Sequence, residues 1–90
     1  ELLGINEWAE QNISLPYPNP TKGEVNFNLN QISGDIAITI QNVLGQTLYQ
    51  RSLESGNGVV RLQLQPAWEG TLFVTFEGAF GKITRKVVKY

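Results

Sequence analysis

Eight acidic side chains, seven cationic ones and three tyrosines are the groups that could move a proton in this 90-residue chain, and both Cys and His are absent. That absence excludes thiol nucleophiles, imidazole bases, disulfide frameworks and Cys/His zinc sites within the chain. What is left is carboxylate chemistry, from one Asp and seven Glu. Paired carboxylates do acid–base work only when a fold holds them within roughly 5–10 Å of one another. Glu24, Glu54, Glu69 and Glu77 fall in separate predicted elements, and nothing in their spacing sets up such a pair. Gly78-Ala79-Phe80-Gly81-Lys82 is too short for a phosphate loop and leads into a strand, so it reads as a hairpin turn. Asn12-Ile13-Ser14 matches the glycosylation acceptor pattern and reads as coincidence. The expectation is a chain without enzymatic activity, metal or cofactor.

The bulk properties narrow the class. Ninety residues support one core rather than two, and a chain of this size hides roughly 60–65% of its unfolded surface, enough for a fold without disulfides. With 41% hydrophobic and 17% charged residues it is neither of the disordered type nor membrane-spanning. A formal charge of -1 leaves no electrostatic footprint for nucleic acid or an anionic bilayer. The start Glu1-Leu2-Leu3-Gly4 has neither the basic region nor the apolar run of a signal peptide, so the chain is expected to be a piece of a longer one.

Strands must carry whatever function there is. Glycines at 23, 34, 45 and 56, and again at 70 and 81, place turn signals every 11 residues or so. Between them apolar residues alternate: Val25, Phe27, Leu29; Ile36, Ile38, Ile40; Val60, Leu62, Leu64; Leu72, Val74, Phe76. Period 2 is the signature of a half-buried strand. Phe73 departs from that alternation, and Thr47 to Leu53 is weaker because Leu48 and the pair Tyr49 and Leu53 point to opposite faces; a bulge or an edge position would resolve it. The last run, Lys82 to Tyr90, mixes β-branched residues with lysines, as an edge strand does. Helical signal is confined to one turn's worth of residues, Ile5, Trp8 and Ala9, and Pro16-Tyr17-Pro18-Asn19-Pro20 enters as extended backbone before a turn at Thr21-Lys22-Gly23. The prediction is an all-β, Ig-like or fibronectin-like sandwich of about seven short antiparallel strands, with residues 1–13 a linker from the upstream part of the longer chain and 14–90 the domain.

Motif order adds something that fold class does not. Tyr17-Pro18-Asn19-Pro20-Thr21-Lys22-Gly23, a strand from Glu24 to Leu29, Asn42-Val43-Leu44-Gly45-Gln46, Gly70 heading a strand, and Gly81 opening a lysine-bearing last strand follow one another at fixed intervals. In this order the chain, from about Asn12 to Tyr90, resembles the type A C-terminal sorting domain of the type IX secretion system. Gly4-Ile5-Asn6-Glu7 is similar to the short lead-in of such domains, and Lys86 matches the lysine of the family's closing strand. Two positions depart: Leu72, followed by Phe73, stands where the family usually has tyrosine, and Trp68 where it tends to have leucine, both swaps keeping apolar volume.

The resemblance implies an address that directs its parent protein across the outer membrane. Cargo would be captured from the periplasm by translocon and shuttle proteins, delivered to the cell surface or the medium, and usually cut from the domain by a surface sortase. No nucleic acid partner and no membrane insertion are implied. The residues expected to meet partners are Pro18, Asn19, Pro20, Gly23, Gly45, Gln46, Gly70, Lys86, Val87, Val88 and Lys89. Docking would combine the two turns with strand addition along the last strand. Each residue also has a structural reading. The prolines and glycines set backbone angles, Gly45 by a positive φ; Gln46 caps its turn or touches the translocon; Lys86 and Lys89 are solvent-facing edge charges or ligands. Trp8, Trp68, Tyr49 and Phe80 are expected to pack rather than to form a sugar platform, although a carbohydrate-binding or adhesive sandwich resembling the fibronectin type III class is the alternative function.

Overall fold

The computed structural model describes residues 12–32, 34–54 and 56–90. The expected front segment, residues 1–11 with its Ile5, Trp8 and Ala9 turn and the Gly4 to Glu7 lead-in, lies outside the described residues. Six strands follow in order: β1 Glu24–Ile32, β2 Ile36–Gln41, β3 Thr47–Leu53, β4 Gly56–Gln63, β5 Gly70–Gly78 and β6 Gly81–Lys89. They form two sheets, a two-stranded one of order β1-β4 and a four-stranded one of order β3-β2-β5-β6, and every strand pair is antiparallel.

The alternation seen in sequence is the burial pattern. Val25, Phe27 and Leu29 of β1 and Val60 and Leu62 of β4 turn inward from one sheet; Ile36, Ile38, Ile40, Leu72, Val74 and Phe76 turn inward from the other. The two layers meet in one core, where the Phe27 ring stands edge-on to Phe76 with centroids 4.9 Å apart. Burying aliphatic and aromatic side chains of this size is worth about 1.5–3 kcal/mol each, which is the main force holding the layers together.

Two bulges repair places where period 2 would fail. In β1 the register shifts between Leu29 and Ile32, with Gln31 at φ 52 in the left-handed region, and this lets Leu29 and Ile32, three positions apart, both face the core. Between β2 and β3, Gln41 pairs with Thr47 but Ile40 pairs with Tyr49, so Leu48 is the extra residue and packs partly against the core. β3 is therefore both bulged and at an edge, which accounts for its weak alternation.

The expected count of about seven strands is corrected to six. The segment from Ile13 to Tyr17 does lie along β1, with Ser14 N–H donating to the Asn28 carbonyl at 2.9 Å and Tyr17 and Asn26 exchanging main-chain bonds at 3.0 and 2.8 Å. It registers as isolated bridges because Pro16 has no N–H to give and the Ser14 hydroxyl, in place of a carbonyl, accepts from the Asn28 N–H at 2.8 Å. Ile13 itself is fully buried in the core. At the β5–β6 hairpin, a Cβ on Gly78 would come within 2.9 Å of both the Asp35 carbonyl oxygen and the Phe80 ring, so only glycine fits there.

Candidate partner-recognition site

The segment Tyr17 to Gly23 is shaped by what its residues cannot do. Pro18 and Pro20 have no N–H, and both the Tyr17–Pro18 and Asn19–Pro20 bonds are cis. Thr21 then anchors the chain: its hydroxyl donates to the Glu24 carbonyl and accepts from the Gly23 N–H at 3.2 Å, while its side chain is buried. The Gly23 carbonyl accepts from Leu64 N–H at 2.6 Å, tying the turn to the end of β4.

This segment lies against the last strand. Asn19 Oδ1 accepts from the Val88 N–H at 2.8 Å, and Asn19 Nδ2 donates to the Lys86 carbonyl at 3.2 Å. One step further, Thr21 N–H donates to the Val88 carbonyl at 2.8 Å and the Thr21 carbonyl accepts from Tyr90 N–H at 3.0 Å, a parallel bridge to Lys89. The first and last motifs singled out from the sequence are thus one physical unit.

The register brings the other selected residues to the same end of the molecule. Gln41 lies opposite Phe73 and Gly70 opposite Lys89, so the 42–46 turn, Gly70 and the end of β6 share one end of the four-stranded sheet. Gly45 sits at φ 83 with open space around it, the positive angle expected of it. Gln46 does cap its turn, although Asn42, which the motif reading did not single out, organises it. Asn42 Oδ1 accepts from Leu44 and Gln46 N–H at 2.9 and 3.0 Å, and Asn42 Nδ2 donates to Gln46 Oε1 at 2.8 Å. An Asn three residues before a turn glycine is the signal that would have found it. Val43 and Leu44 stand at the tip, Leu44 80% exposed.

Three expectations about the last strand change. The edge from Lys86 to Tyr90 does not offer a free row for strand addition, because Asn19 and Thr21 already occupy the Lys86 carbonyl, both Val88 groups and the Tyr90 N–H. Lys89 is not solvent-facing: it is 4% exposed, and its ammonium donates to the Pro66 carbonyl at 3.3 Å, because odd-numbered residues of β6 turn toward the core side. Val87 is fully buried in that same row, whereas Lys86 on the opposite face is exposed.

The described acids are spread over several elements: Glu24 begins β1, Glu69 precedes β5, and at the far end of the four-stranded sheet Asp35 precedes β2, Glu54 follows β3 and Glu77 of β5 lies opposite Lys82. A shallow polar depression lined by Thr39, Gln41, Thr75, Glu77 and Lys82 holds one carboxylate. Among the described residues no group of three or more His, Cys, Asp or Glu could hold a metal ion, and no helix is long and apolar enough to cross a membrane. Trp68 packs against the core, Phe80 is buried at the opposite end, and Tyr49 lies on β3, so these three aromatics form no common platform; Trp8 lies outside the described residues.

The sequence from 16 to 90, both motif ends included, matches the family model described as the secretion system C-terminal sorting domain. No curated protein and no solved structure matches the chain. A shared profile spanning the proline-rich segment, the 42–46 turn and the closing strand, which the fold gathers at one end, makes this chain a member of the secretion system C-terminal sorting domain family, the sorting signals of type IX secretion.

Proposed function

We propose that the domain works as a non-enzymatic label, read at the end of the sandwich where the Pro18-Asn19-Pro20 segment meets Lys86 to Tyr90. One observation carries the reading: the two ends of the family-matched span are bonded to each other through Asn19 and Thr21, so a docking partner meets them as one surface. Rigid presentation favours recognition because little order has to be imposed on binding. The Asn42 network holds the 42–46 turn in the same way and adds Gly45, Gln46 and Gly70 to the surface.

Residues 14–90 form the sorting domain, and residues 1–13 link it to cargo in the same chain, with Ile13 seated in the core as the anchor of that link. The architecture is Ig-like, the Ile13 to Tyr17 segment doing the work of a seventh strand beside β1. The parent protein passes through the periplasm, is bound by translocon and shuttle proteins, reaches the cell surface or medium, and is released there by a surface sortase. Strand addition, where it occurs, uses the Lys82 to Thr84 part of the β6 edge, which Asn19 and Thr21 leave uncovered.

The test is a fusion of residues 1–90 to a periplasmic reporter in a type IX host. Export to the surface or medium is expected; a folded fusion held in the periplasm would refute the proposal.

A further inference from the structure

The bonds between Asn19 and β6 have the pattern of a parallel β-ladder. In such a ladder one residue donates its N–H to the carbonyl before its partner and accepts, on its own carbonyl, the N–H after that partner. Thr21 does this with its main chain, bracketing Lys89 between the Val88 carbonyl and the Tyr90 N–H. Asn19 does it with its side chain, bracketing Val87 between the Lys86 carbonyl and the Val88 N–H. Two residues apart on one strand match two residues apart on the other, so the side-chain amide of Asn19 supplies the rung next to the one made by the Thr21 main chain.

We infer that Asn19 is a positioning residue for the sorting signal: its amide seats the terminal strand in the form that the secretion machinery reads, and it acts through Lys86 to Tyr90 rather than as a contact of its own. The inference rests on the sorting reading above. It accounts for an Asn between two prolines, since Ala offers neither bond, Asp only the acceptor, and Gln carries the amide one methylene too far. It also defines what remains for a partner at the tail. The edge groups from the Lys86 carbonyl to the Tyr90 N–H are taken, leaving the exposed side chains of Lys86 and Tyr90 and the half-buried Val88.

The experiment pairs two readouts on the 90-residue chain: amide hydrogen exchange at Val88 and Tyr90, and export of the reporter fusion. Asn19→Ala is expected to speed exchange at Val88 by about tenfold, the loss of one hydrogen bond at an edge, and to lower export severalfold with the melting transition retained. Asn19→Asp, which keeps the acceptor for Val88, is expected to restore Val88 protection and part of the export. Lost export with Val88 exchange unchanged would overturn the inference, since Asn19 would then be touched directly. So would normal export with Val88 unprotected. If Asn19→Ala does not fold, Asn19→Asp decides: protection regained without any export refutes positioning. A wild-type fusion that stays in the periplasm removes the sorting reading itself, and this inference with it; the outcomes above, with the wild type exported, remove the inference alone.

Discussion

The Arg85 guanidinium on β6 donates to the Ile13 carbonyl at 2.7 Å, joining the last strand to the first described segment across 72 residues of sequence. A similar bond closes the other side, where Arg51 on β3 donates to the Arg61 carbonyl of β4 at 3.3 Å. Both arginines sit at inward-facing positions of the edge strands of the four-stranded sheet, and each reaches a carbonyl of the opposing layer. Inward-pointing charge on an edge strand also discourages pairing with further copies.

Arg85→Ala should destabilise the domain by about 1–3 kcal/mol, the cost of leaving a buried carbonyl without its donor. Urea unfolding followed by circular dichroism measures it. Arg85→Lys, with a single ammonium in place of the planar fork, should recover only part; full stability in Arg85→Ala would mean that the bond contributes nothing.

Phe27 and Phe76 meet edge-to-face between the layers and are both fully buried. Either Phe→Ala change is expected to cost about 3–5 kcal/mol. A double-mutant cycle should give a coupling of about 0.5–1.5 kcal/mol, whereas strictly additive losses would show that the rings merely fill volume.

Asn42→Ala removes three side-chain bonds from the 42–46 turn and is expected to cost about 1–2 kcal/mol. Asn42→Asp retains the oxygen that accepts from Leu44 and Gln46 and should lose less. Thermal melts of the three proteins give the ranking, and Asp falling below Ala would contradict this account of the turn.

Lys86 and Lys89 separate contact from packing. Lys86→Ala, at an exposed position, should alter stability by no more than about 0.5 kcal/mol, so a fall in reporter export would mark its side chain as a contact. Lys89→Ala removes a buried stem and its bond to the Pro66 carbonyl, and should lower the melting temperature measurably. Equal melting temperatures for the two variants would contradict the burial of Lys89.

Much of this was open to reading residue by residue. The alternation of Val25, Phe27 and Leu29, and of Ile36, Ile38 and Ile40, states which face is buried because a strand's side chains alternate with period 2. Gly45 announces its turn because few other residues tolerate its φ of 83. Where local pattern ran out, the reason lies in the partner strand. The Gln31 and Leu48 bulges depend on what faces them, and the pairing of Ile13 to Tyr17 with β1 turns on a serine hydroxyl that no periodicity announces.

Alternation, turn residues and the order of motifs thus determined, from sequence alone, the all-β class, most of the core and the family, since these depend on short-range backbone geometry and on side-chain polarity. Only the tertiary structure decided that Asn19 lies on Val88 and Lys86, that Lys89 turns inward while Lys86 does not, and that the terminal edge is already covered. Those facts hang on contacts between residues 67 and 69 positions apart, whose closeness comes from two sheets burying one core and from nothing local in the chain.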